Sequence, residues 1–157
     1  MKFMKTRKLY FIISIICCLL GCQKKSEIQF DIPGVIFTKE QTAAAEYFQK
    51  GKDSWTPTNK QIEELENLFP EYISNYNVAS AKEIYKNLST YKRQYLGFTE
   101  NGEQLIFINA FCEHKWKDND KWKSQFVFVF DGGDCYFQAI YNPSKHKFEK
   151  LFVNGVA

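Results

Sequence analysis

The chain has 157 residues, with 21 Lys and Arg against 18 Asp and Glu, a formal charge of +3. That length fits one domain of ordinary size and excludes a multidomain enzyme. Apolar residues make up 45% and charged residues 25%, which excludes wholesale disorder, and an aromatic share of 17% favours a β-rich core.

Residues 1–8 carry Lys2, Lys5, Arg7 and Lys8 and no acid, and residues 9–20 are almost wholly apolar. A basic start followed by a short apolar run is the pattern of a secretory signal. The run is too short to span a bilayer comfortably, which takes about 20 apolar residues. It ends in Leu19-Leu20-Gly21-Cys22, which resembles a bacterial lipobox. The resemblance implies cleavage before Cys22, lipid on its thiol, and a palmitate-type acyl chain on its new amine. Several acyl chains anchor a protein stably where one does not. Gln23 stands where an Asp often retains lipoproteins in the inner membrane, so the expected address is the outer membrane of the cell envelope.

Cleavage alters the charge. Removing four bases and no acid leaves 17 bases against 18 acids, a net of −1. Nucleic-acid binding thereby loses its compositional support. Of five cysteines, only Cys112 and Cys135 would stay available, in a compartment that permits disulfides.

The expected organisation is a signal over 1–21, a lipidated cysteine and tether over 22–37, and one globular domain over 38–157. Thr38 and Gln41 form a Thr-x-x-Gln capping box that predicts a helix, with Ala43–Ala45 inside it and Gly51 to stop it. A second helix starts near Thr56-Pro57-Thr58, with Ile62, Leu65, Leu68 and Phe69 at helical spacing. Pro70 should end or kink it. A third covers about 79–89. From Tyr91 the period shifts towards two, and five strands are predicted near 91–98, 104–112, 123–130, 135–141 and 147–153. Asn101-Gly102 is a hairpin turn, Asp131-Gly132-Gly133-Asp134 a second turn, and Asn142-Pro143-Ser144-Lys145 a third. The expected fold is α+β, with two to three N-terminal helices on a curved antiparallel meander of four to five strands.

The middle strands are apolar on both faces. Phe126, Phe128 and Phe130 alternate with Val127 and Val129, and Leu105, Phe107 and Phe111 alternate with Ile106, Ile108 and Ala110. A one-sided antiparallel sheet alternates apolar with polar. Something therefore covers the second face: strong curvature or the first helix on one reading, a dimer or partner on the other.

Within a meander, Cys112 and Cys135 fall at opposite ends of the third strand. About six residues at roughly 3.3 Å each separate those ends, whereas a disulfide needs Cα atoms within about 7 Å. The expectation is two separate thiols. Cys112 and His114 share a strand face, with His146, Asp118 and Asp120 near the same end, but the spacing matches no zinc or calcium pattern, so no metal and no cofactor is expected. The nearly symmetric run from Lys115 to Lys123 predicts a hairpin with Trp116 opposite Trp122. Trp116, Trp122, Lys117 and Asp118 are the candidate binding residues of that loop. Hydrolase and phosphate-loop motifs are absent, and two histidines leave little for a triad, so an enzyme is not expected.

Ile108–Cys112, Asp131–Phe137 and Val153–Ala157, with Tyr91–Tyr95, resemble blocks of small bacterial lipoproteins that have no assigned function. The likeness covers roughly residues 55–157 and implies a common scaffold without catalytic residues. A helix before a curved sheet is also similar in outline to cystatin-like or nuclear-transport-factor-like domains, which bears on fold alone. The expected function is binding of a macromolecular partner by an envelope lipoprotein. The alternative is a carrier holding an apolar ligand between helices and sheet.

Overall fold

The computed structural model describes residues 31–45, 52–116 and 119–156. Its elements run β1 (Gly34–Ile36), α1 (Lys39–Ala44), β2 (Ser54–Trp55), α2 (Asn59–Ser74), α3 (Ala79–Lys86), β3 (Tyr91–Glu100), β4 (Glu103–Cys112), β5 (Tyr136–Asn142) and β6 (Lys147–Val153). The fold is α+β, with three helices among the described residues. The expected capping box forms, with Thr38 and Gln41 opening α1, and a second box that the sequence reading did not name, Thr58 with Gln61, opens α2. Each satisfies amide donors that have no partner inside the helix.

Pro70 lies inside α2 and does not end it. Ile62, Leu65, Phe69 and Ile73 are all buried, so the helix continues past the proline along one apolar stripe. Removing those contacts would cost more than the lost hydrogen bond. α3 is shorter than predicted, and the chain passes through a 3-10 turn at Leu88–Thr90 before β3.

The sheet is mixed, which corrects the antiparallel meander. Its order is β1-β3-β4-β5-β6, with β2 also paired to β3. β1, from the stretch read as tether, runs parallel to β3 with Gly34 opposite Arg93. A Cβ on Gly34 would lie 2.0 Å from the Arg93 carbonyl oxygen, so only glycine fits there. The Asn101-Gly102 hairpin forms as predicted, with φ of 51° and 79° and Glu100 paired to Glu103.

The larger correction concerns residues 123–130, which form no strand. β4 pairs directly with β5, with Phe111 opposite Tyr136 and Ile106 opposite Tyr141. The segment 122–131 leaves the sheet plane and lies across one face as a strap. Cys112 and Cys135 therefore meet, one step beyond a ladder pair. They form a disulfide with Cα atoms 4.9 Å apart, where separate thiols were expected. The closed loop has a sequence separation of 23, which restricts the unfolded chain by about 3 kcal/mol in the chain-entropy account.

One face packs on α2 and α3. Its core holds Leu65, Phe69, Ile73, Ile84, Tyr95, Ile108, Phe137 and Tyr141. Phe69, Phe148 and Tyr72 stack successively, with centroids 4.8 and 4.6 Å apart. The other face carries two smaller clusters. Phe37, Ala45, Leu96, Phe98, Leu105 and Phe107 form one, and Phe111, Trp122 and Val127 form the other. The strap runs between them. What covers the second face is thus this chain's own strap together with Phe37 and Ala45, which flank α1.

Candidate functional site

The strap is held by a row of polar side chains in an otherwise apolar face. Gln94, Asn109 and Gln138 are adjacent across β3, β4 and β5. Gln94 is fully buried and Asn109 nearly so. Gln94 Nε2 donates to the carbonyls of Trp122 (2.5 Å) and Gln125 (2.7 Å). Its Oε1 accepts from the Val127 amide and from Asn109 Nδ2, both at 3.0 Å. Asn109 Nδ2 also donates to the Val127 carbonyl at 2.7 Å. Further along, Asn154 Nδ2 donates to the Val129 carbonyl at 2.6 Å. Side chains thus supply the partners that a strand ladder would have supplied, as buried backbone requires.

The strap then turns at Gly132 (φ 100°) and Gly133 (φ 59°). A Cβ on Gly132 would fall 2.7 Å from the Tyr136 ring. These glycines replace the predicted tight turn between strands with a corner leading into β5.

Of the predicted loop residues, Trp116 and Trp122 are brought together, but not as a hairpin pair. Both pack edge-on against Phe111, with centroids 5.5 and 5.7 Å away. Trp122 is buried at 7% exposure, so it anchors the strap instead of presenting a surface. Lys117, Asp118 and Cys22 lie outside the described residues.

The strap's outward side chains form a different surface. Phe128 and Phe130 stand edge to face at 4.6 Å. Phe130 is 78% exposed, and Phe152 on neighbouring β6 is half-exposed. A groove of about 220 Å³ runs beneath them, floored by Phe107, Asn109, Gln138 and Asn154. A second cavity of about 620 Å³ lies between α1 and the strap, lined by Phe37, Ala44, Ala45 and Phe126. It sits on the opposite side of the sheet from the cavity expected between helices and sheet. An alternation of large aromatics was visible in the sequence, but which of them faced solvent depended on the strap.

Two charged clusters went unforeseen. On the helix face, Arg93 Nε lies 3.2 Å from Glu66 Oε1, with side chains 2% and 8% exposed. That approach lacks the alignment of a hydrogen bond. The guanidinium instead donates to the carbonyls of Tyr91 and Leu88 at 3.0 and 2.9 Å. Tyr95 donates to Glu66 at 2.8 Å. Burial pushes the Glu66 carboxyl above its ordinary value, against the pull of Arg93. The pair lines a cleft with Tyr85, Lys86 and Ser89.

The second cluster joins helix and turn. Glu64 accepts from Tyr141 at 2.7 Å and contacts His146 Nδ1. The hydrogen bond from His146, and then that from Tyr141, holds the Glu64 carboxyl below its ordinary value. His146 has φ of 51° and is exposed. The contacts tie the β5–β6 turn to α2. Glu63, Glu64 and Glu66 lie close together along α2, but the helix turns Glu66 inward and leaves Glu64 at its edge.

No helix of the described residues is long and apolar enough to cross a membrane. Comparison with known proteins finds no matching family model, no matching curated protein and no matching solved structure.

Proposed function

We propose that this chain is a lipoprotein of the cell envelope, anchored at the outer membrane by lipid on Cys22, whose domain binds a protein partner. Catalysis, nucleic-acid binding and a cofactor form no part of the proposal. One observation carries it: Phe130, 78% exposed, packs edge to face with Phe128 along a strap fixed by buried hydrogen bonds. Aromatic side chains dominate interface energetics, and binding costs less when they are already immobilised. Phe152 extends the same apolar surface. The resemblance to small envelope lipoproteins and the lipobox supply the location.

Recovery from envelope extracts tests the binding. Wild type is expected to retain a protein that a Phe130→Ser/Phe152→Ser variant of unchanged melting temperature releases. Equal recovery by both, or no retained protein with wild type, would refute it. Labelled fatty acid tests the anchor: wild type should take up the label and Cys22→Ala should not. Labelled Cys22→Ala would rule out that attachment.

A further inference from the structure

The disulfide has a third potential ligand beside it. His114 sits in the 3-10 turn Glu113–Lys115 that follows β4 directly. Its ring nitrogen and the sulfurs of Cys112 and Cys135 all lie within 4.8 Å of one another. We infer that reduction of Cys112–Cys135 converts this cluster into a binding site for a soft, thiophilic metal cation, with two thiolates and the His114 imidazole as ligands. This goes beyond the proposed partner binding and does not depend on it.

The donor set is the first argument. Two sulfurs and one imidazole suit zinc and cuprous copper over the harder magnesium and calcium. Geometry is the second. Metal–sulfur bonds near 2.3 Å and metal–nitrogen bonds near 2.0–2.1 Å place ligand atoms on one ion roughly 3.5–4 Å apart. The cluster reaches that spacing by side-chain rotation alone, because Cα atoms 4.9 Å apart already bring the sulfurs together. Access is the third: both cysteines are half-buried and His114 is exposed, so an ion reaches the site from solvent, and a fourth position stays open to water. Cys112-x-His114 with a distant Cys135 matches no paired-ligand spacing, because the β4–β5 pairing brings the third ligand in.

Oxidation blocks the site, since a disulfide offers no thiolate. A phosphine supplies the two electrons that open it. The S–S bond breaks, two protons from water give two thiols, and the phosphine takes the water oxygen to become its oxide. A divalent ion then displaces both protons as the thiols become thiolates.

The test uses the full protein purified in detergent, with Co²⁺ and Zn²⁺ as probes. Phosphine-reduced wild type is expected to bind one Co²⁺ with thiolate-to-metal charge-transfer absorption and to lose that absorption to Zn²⁺. Oxidised wild type and Cys112→Ser/Cys135→Ser should show none, which also subtracts any other cysteine. Since even outer-shell partners are worth about 10–100-fold in metal affinity, His114→Ala is expected to weaken binding at least about tenfold. Any one of three results overturns the site: no charge-transfer band in reduced wild type, equal affinity in His114→Ala, or loss of far-ultraviolet circular dichroism on reduction before metal is added.

Discussion

Gln94→Met is expected to destabilise the protein by about 3–5 kcal/mol. The methionine keeps the length of the side chain but removes both its donor and its acceptor groups. The Trp122 and Gln125 carbonyls lose their shared donor, and the Val127 amide loses its acceptor. A buried polar group left without a partner costs about 1–3 kcal/mol, and Gln94→Met strands several at once. Asn109→Leu removes only the Val127 carbonyl's donor and one bond to Gln94, so its cost should be smaller, about 1–3 kcal/mol. Urea unfolding measures both. Hydrogen exchange at the Val127 amide gives an independent reading, because that proton should lose protection in Gln94→Met before the β4 amides do. A loss under about 1 kcal/mol, with Val127 still protected, would mean that packing by Trp122 and Val127 holds the strap without the polar row.

Arg93→Met is the second large effect, with an expected loss of about 3–5 kcal/mol, because it strands the Glu66 carboxylate in the core. The loss should depend on pH in a definite direction. Glu66 has a folded-state value raised above its ordinary 4.5, so the folded protein holds that proton more tightly than the unfolded chain. Its contribution is therefore most favourable below 4.5 and declines as pH rises through the folded-state value. Removing the Arg93 charge raises that value further. The deficit of Arg93→Met should be greatest at neutral pH and shrink in acid, where a protonated Glu66 needs no countercharge. Glu66→Gln, which retains an acceptor for Tyr95, should relieve much of the deficit when combined with Arg93→Met. A deficit that stays constant from acid to neutral pH would assign the loss to Arg93's bonds with Tyr91 and Leu88 instead.

The local signals in the sequence were largely reliable. The capping box at Thr38, the helix start near Thr58 and the Asn101-Gly102 turn depend on neighbours within four residues, and each forms. The two-sided apolar pattern correctly demanded a cover for the second face. Residues 123–130 show where local reading stopped. An alternation of Phe with Val records an extended backbone, and a strap and a strand share that backbone. What separates them is where the amides and carbonyls find partners, and here those partners are Gln94, Asn109 and Asn154. The expectation of separate thiols followed from the same misreading.

Length, composition and charge at first describe a mildly basic chain of 157 residues with five cysteines. By itself the sequence determined the α+β class, the helix starts and the first hairpin. These rest on contacts close along the chain or on composition. Tertiary structure alone decided that Cys112 meets Cys135 beside His114, that Glu66 is buried against Arg93, and that Phe130 stands in solvent. The first and last depend on β4 pairing with β5, and the second on α2 packing against β3. That long-range pairing is settled by what satisfies buried backbone groups, and periodicity does not record it.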